Sequence, residues 1–116
     1  MDKNIQSSEI KFKTDGNFAI HVTDLEKAEN FYGNVLGFKL ISKDKLQLVY
    51  DTGAITLYIN LDNIIIPFIP ALEVKNYNDA KNRLAQNGCR IVKEHEGGKA
   101  LYFKDPFGII IDIIQK

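Results

Sequence analysis

The stretch VTDLEKAENFYGNVLGFKL, residues 22–40, changes its periodicity twice, and both changes decide what surrounds it. Just upstream, Asn17 to Val22 alternates small or polar residues with Phe18, Ile20 and Val22, the pattern of a half-buried strand. Thr23 with Glu26 three residues on reads as a capping box. Leu25, Ala28, Tyr32 and Leu36 then recur at helical spacing until Gly37 offers a stop. A helix is predicted over Asp24 to Leu36. Beyond it, short β-like segments at Phe38 to Ser42, Leu46 to Tyr50 and Ala54 to Asn60 are separated by turn-forming Lys43 to Lys45 and Asp51 to Gly53. The order is βαβββ.

The order then repeats. Phe68 to Val74 reads as a strand and Asn76 as a helix cap. Tyr77, Ala80 and Leu84 form an apolar stripe that Asn87-Gly88 closes, and strands are predicted at Cys89 to Glu94, Ala100 to Lys104 and Ile109 to Gln115. Laid over the first half, Val22 falls on Val74, Asp24 on Asn76 and Ala28 on Ala80, so residue type repeats as well as element order. The chain therefore divides into a lead-in over residues 1–15, with Met1 to Ser8 frayed, a first module over 16–60, a linker over 61–67 and a second module over 68–116, together one domain.

Composition narrows the function classes. A chain of 116 residues with 45% apolar and 26% charged residues suits one folded domain burying roughly two-thirds of its unfolded surface. Fifteen basic residues balance fifteen acidic ones, which argues against nucleic acid as a partner. The longest apolar runs, such as Ile64 to Ile66 and Ile109 to Ile111, are too short to span a bilayer, and the polar start lacks a leader's apolar stretch. The single Cys89 rules out an internal disulfide and suits a reducing cytoplasm.

Two strings carry a resemblance. The first is residues 22–40, with its Asp-Leu cap region, the aromatic pair Phe31-Tyr32 and a Leu-Gly-Phe helix exit. The second is FKDPFGIIIDI at residues 103–113, with Asp105-Pro106-Phe107-Gly108 as a turn before the last strand. Together with the doubled βαβββ order, they resemble the vicinal oxygen chelate superfamily, the glyoxalase, bleomycin-resistance and extradiol-dioxygenase group. The likeness extends from about Asn17 to the C-terminus. It implies an α+β fold in which two βαβββ modules form curved mixed sheets around a cavity, with the helices outside. Capping and turn chemistry account for the motif residues themselves, so they speak to fold and leave the chemistry open.

In metal-dependent members of that superfamily, ligands project from the first and last strands of both halves. The positions resembling them are Asn17 and Thr56 in the first half and Ile69 and Asp112 in the second. Only Asp112 is a strong donor, whereas a divalent transition metal needs three or four. No cofactor is expected on this reading. Strand parity puts Asn17, Ala19 and His21 on the cavity face, and likewise Ile69, Ala71 and Glu73, so a register-shifted divalent-metal site would draw on His21, Glu73 and Asp112. Thr56, Tyr58, Asp112 and Ile114 face inward by the same parity, Tyr50 and Tyr102 are candidate walls, and His95 reads as a solvated turn residue.

The candidate ligand-binding set is thus Asn17, His21, Thr56, Tyr58, Ile69, Glu73 and Asp112, a mixed polar and apolar lining of the kind small organic ligands use. The first expectation is a metal-free protein that sequesters a small hydrophobic or amphipathic molecule, and the resemblance implies that it works as a homodimer. The alternative is a glyoxalase-, lyase- or isomerase-type enzyme, with an altered metal set or with Asp112, Glu73 or His21 as general base. A second alternative is an interaction module whose cavity has closed with side chains.

Overall fold

The computed structural model of the chain describes residues 11–116; the lead-in expected at Met1 to Ser8 lies outside them. The first βαβββ module comprises β1 (Lys13–Val22), a helical segment, β2 (Lys39–Lys43), β3 (Gln47–Asp51) and β4 (Thr56–Leu61). The second comprises β5 (Ile66–Val74), α2 (Tyr77–Gln86), β6 (Arg90–Glu94), β7 (Ala100–Lys104) and β8 (Ile110–Gln115). Chain contacts define two compact units, Gly16–Ile69 on the one hand and Pro70–Lys116 with the described residues up to Asp15 on the other. Lys13 to Asp15 already belong to β1, and Phe12 packs into the core of the Pro70–Lys116 unit. The expected linker is shortened at both ends, Leu61 closing β4 and Ile66 opening β5.

Within the Gly16–Ile69 unit the strand order is β2-β3-β4-β1, with β1 parallel to β4 and the other pairs antiparallel. Parity sorts its side chains cleanly. Ile20, Leu48, Tyr50, Leu57 and Ile59 are buried on one face with Ala28 of the helical segment, and Phe18, Val22, Leu25, Tyr32 and Phe38 pack around them. The helical segment differs from the expectation. A single α-turn, α1 (Leu25–Ala28), runs into a seven-residue π-helix, Glu29–Val35, closed by the Leu36 amide donating to the Phe31 carbonyl five residues back at 2.9 Å. Asn30, Gly33 and Asn34 are weak α-formers, so little intrinsic preference resists the wider turn. The N-cap is also shifted by one. Asp24, not Thr23, accepts a hydrogen bond from the Lys27 amide at 3.0 Å, so the capping box expected at Thr23 is replaced by a carboxylate cap.

The Pro70–Lys116 unit repeats the plan, with order β5-β8-β7-β6 and β5 parallel to β8. Val74, Leu101, Phe103 and Ile113 bury one face of its sheet against Tyr77 and Ala80 of α2. Asn76 caps α2 through the Asp79 amide at 3.0 Å, and Gly88, at φ +86°, lets the Cys89 amide turn back to the Leu84 carbonyl. Complete burial of Ile59 and Ile113, one in each core, stabilises the fold by about 1.5–3 kcal/mol per side chain. The architecture is the expected α+β one: two βαβββ modules with mixed sheets, each with its helix packed on one face.

Candidate functional site

Each sheet has a face its helix does not cover, and parity assigns the candidates to it. In the Gly16–Ile69 unit, Asn17 stands opposite Thr56, Ala19 opposite Tyr58 and His21 opposite Asn60. All six therefore share the face away from Ile20, Leu57 and Ile59. Gln47, opposite Asn60, joins them, its amide donating to the Asn60 side-chain oxygen at 2.7 Å. His21 Nδ1 lies 2.7 Å from Asp62 Oδ2. This contact, with the Asn63 amide, pulls the Asp62 carboxyl below its usual range. Asp62, from the expected linker, is a partner that no motif indicated.

Tyr50 does not wall this face. It pairs with Leu57 and Leu40 in register and is buried on the helix side, because Gln47, Val49 and Asp51 hold the other parity. Ile69 is wholly buried, at 0% exposure, and offers no surface to a ligand.

In the Pro70–Lys116 unit, Ala71 stands opposite Asp112 and Asp112 opposite Tyr102, on the face away from Leu101 and Ile113. His95, expected as a solvated turn residue, is half-buried. Its Nε2 lies 3.4 Å from Asp112 Oδ1 and its ring meets the Tyr102 ring edge-on at 4.7 Å. The hairpin from β6 to β7 brings it there, the His95 amide donating to the Ala100 carbonyl at 2.9 Å; a turn motif read by itself carries no sign of that return. Asp15, on the described lead into this unit, is a second acid that no motif indicated. Its side chain is 3% exposed and lies 3.6 Å from Lys116 Nζ. Burial raises the Asp112 carboxyl to about 6, against the lowering influence of His95 and with a further upward push from Asp15. Glu73, half-buried, lies 3.8 Å from the exposed Lys13 Nζ, a long pair of little energetic weight.

The four positions that resemble a metal-ligand set do not offer the donors a divalent metal needs. Of the four resembling positions, Asp112 alone is a carboxylate and Ile69 is an aliphatic buried in the interior. Among the described residues no three His, Cys, Asp or Glu side chains gather closely enough to hold an ion, and the register-shifted set is already engaged otherwise: His21 with Asp62, Glu73 with Lys13, Asp112 with His95. Among the described residues no helix is long and apolar enough to cross a membrane.

Comparison with known proteins gives the same frame. Residues 16–50 match the family model described as bleomycin resistance protein-like N-terminal. Among solved structures, homoprotocatechuate 2,3-dioxygenase from Brevibacterium fuscum superposes with a TM-score of 0.70 at 22% identity over 93% of this chain and 33% of the dioxygenase. A room-temperature structure of an extradiol ring-cleaving dioxygenase from B. fuscum gives 0.72 at 22% identity over 93% of this chain and 34% of the enzyme. The chain thus spans about a third of the length of these enzymes. A hypothetical protein from Bacillus halodurans C-125 is matched nearly end to end, 91% of this chain and 95% of that one, with a TM-score of 0.68 and 16% identity. No curated protein matches the sequence.

Proposed function

We propose that this chain, a member of the vicinal oxygen chelate superfamily by its fold and by the match over residues 16–50, binds a small amphipathic organic molecule on the helix-free side of its sheets, without the superfamily's metal. The observation that carries the reading is the half-buried Asp112, flanked by His95 and Tyr102 on a mixed face that also carries Ala71 and Ile114, with Glu73 and Lys93 beside them in register. An aliphatic and aromatic surface supplies affinity, and a few polar groups orient the ligand. Asp112 and His95 would engage a donor and an acceptor on the ligand, and Tyr102 would stack or hydrogen-bond beside them. A cytoplasmic setting and a homodimer belong to the same reading. The half-buried free thiol of Cys89, raised by burial, suits a reducing compartment, and exposed Ile64, Ile65 and Phe68 supply apolar surface for a second copy.

The test is thermal stabilisation and calorimetry with a panel of small aromatic and amphipathic compounds, using Asp112→Ala as the control. Saturable binding weakened about tenfold or more in the variant is expected, the loss of one charge-assisted hydrogen bond. Binding indifferent to Asp112→Ala would overturn the assignment of the site. A second reading, a general-base enzyme, is favoured by one feature: a carboxyl raised to about 6 beside an imidazole can accept a proton near neutral pH. Deuterium exchange beside the carbonyl of simple ketones and aldehydes, catalysed by the wild type and not by Asp112→Asn, would turn the conclusion towards catalysis.

A further inference from the structure

On the helix side of the Gly16–Ile69 unit, away from every candidate on the open face, the π-helix and strands β2 and β3 frame a cavity of about 380 Å³. That volume falls within the range of small-molecule sites. Phe38, Leu40 and Tyr50 form its apolar part; Glu26, Glu29, Asn30 and Asn34 edge it from the helical side, with Gly33 between them. It is made wholly of residues 26–50 and is independent of the ligand reading above.

Two features point to an occupant. Tyr50 is 1% exposed, yet its buried hydroxyl has no hydrogen-bond partner among the described residues, a state that native proteins seldom tolerate without a role for the group. The hydroxyl lies beneath Gly33, where an added Cβ would sit 3.0 Å from the oxygen, and Gly33 and Tyr50 both line the cavity. The second feature is the π-helix itself, a backbone form that concentrates at functional sites and here presents Glu29, Asn30, Gly33 and Asn34 to the cavity. Among the described residues the charged lining groups are Glu26 and Glu29; Lys43 bonds Glu29 at 3.0 Å, leaving one negative charge in excess. Glu29 and Tyr50 line the same cavity, and Glu29 adds to the upward push that burial gives the Tyr50 hydroxyl, against the lowering influence of Lys43.

We propose that this cavity binds a small amphipathic primary amine, its ammonium held between the Glu29 carboxylate and the Tyr50 oxygen and its aromatic or aliphatic body laid on Phe38 and Leu40. The ammonium donates to both oxygens, Glu26 adds a second carboxylate at the rim, and Lys43 competes for Glu29.

The experiment is a titration of the labelled full chain with benzylammonium chloride, read by amide chemical shifts, with benzyl alcohol as the neutral isostere. Saturable shifts centred on Asn30, Gly33 and Tyr50 are expected with the ammonium alone. They should weaken about tenfold in Tyr50→Phe, a variant that keeps the ring and deletes only a hydroxyl without a partner, and strengthen in Lys43→Ala, which removes the competing cation. Absence of saturable shifts there, equal response to benzyl alcohol, or indifference to Tyr50→Phe overturns the proposal. So do shifts confined to Tyr102 and Asp112, which would mark the open-face site instead.

Discussion

Asp112 couples the candidate site to pH. An unfolded aspartate gives up its proton near 3.8, whereas in the fold burial holds it to about 6. Between those values unfolding releases a proton, so a rise in pH favours the unfolded chain. The contribution is fully present below pH 4 and is lost as pH rises through 6. Asp62 and Glu94 act in the opposite sense, since His21 on the one and the Tyr77 hydroxyl with Lys81 on the other lower their carboxyls. The informative quantity is therefore the difference between wild type and Asp112→Asn. The variant should gain Tm relative to wild type as pH is raised from 4 to 7, by on the order of a few °C, in calorimetric scans. A constant difference across that range would mean that Asp112 titrates normally. Tyr50→Phe is the complementary case: it deletes a buried hydroxyl that has no partner, so its urea midpoint should stay level or rise, by up to about 1 kcal/mol of stability.

At the scale of the element, the segment from Asp24 to Leu36 holds its shape through an end cap and one close approach. Asp24→Ala removes the acceptor for the Lys27 amide and should cost about 1 kcal/mol in urea unfolding. Gly33→Ala brings a methyl against the Tyr50 oxygen and should cost about 1–3 kcal/mol as an overpacking change. In the double variant Gly33→Ala, Tyr50→Phe the oxygen is gone, so most of that cost should disappear, a coupling that a double-mutant cycle reads directly. Additive losses would mean that Gly33 serves the wider turn itself and not the tyrosine beneath it. The periodicity of Leu25, Ala28, Tyr32 and Leu36 was legible as helical, but three of these four residues sit one side of the α-to-π transition or the other. No spacing rule separates a 3.6-residue turn from a wider one over so short a run.

For the whole molecule, the expected outcomes concern assembly and metals. Ile64, Ile65 and Phe68 are 60%, 69% and 59% exposed, more apolar surface than a short segment ordinarily leaves to water. Light scattering at about 100 µM should give twice the chain mass, and Ile65→Lys should reduce it to one; a wild-type monomer would remove the dimer from the proposed function. Calorimetry with zinc, nickel, cobalt and manganese should detect no stoichiometric site, because a single carboxylate among an amide, a hydroxyl and a buried isoleucine cannot offset the dehydration of such an ion. Tight binding lost in Asp112→Ala would instead require ligands to converge that the fold keeps engaged elsewhere.

What the sequence by itself determined is what depends on local chemistry and period. The doubled βαβββ order, Ala100 to Lys104 as a strand to the residue, the turn at Asp105 to Gly108 and the cap at Asn76 follow from alternation, helical spacing and turn residues. Parity on β1 likewise set His21 opposite in face to Ile20, since a strand's period of two leaves no other choice. Tertiary structure alone decided the partners. His95 reaches Asp112 because a hairpin returns β7 beside β6, Asp15 joins the second unit because β1 begins four residues earlier than its alternation, and Tyr50 turns inward because β3 pairs with β4 in one register and not its neighbour. Each of these rests on pairing between elements, across a hairpin for Tyr50 and His95 and across most of the chain for Asp15. Their register and burial are set by how strands pair and cores fill, and a one-residue slip in pairing reverses every side chain it touches.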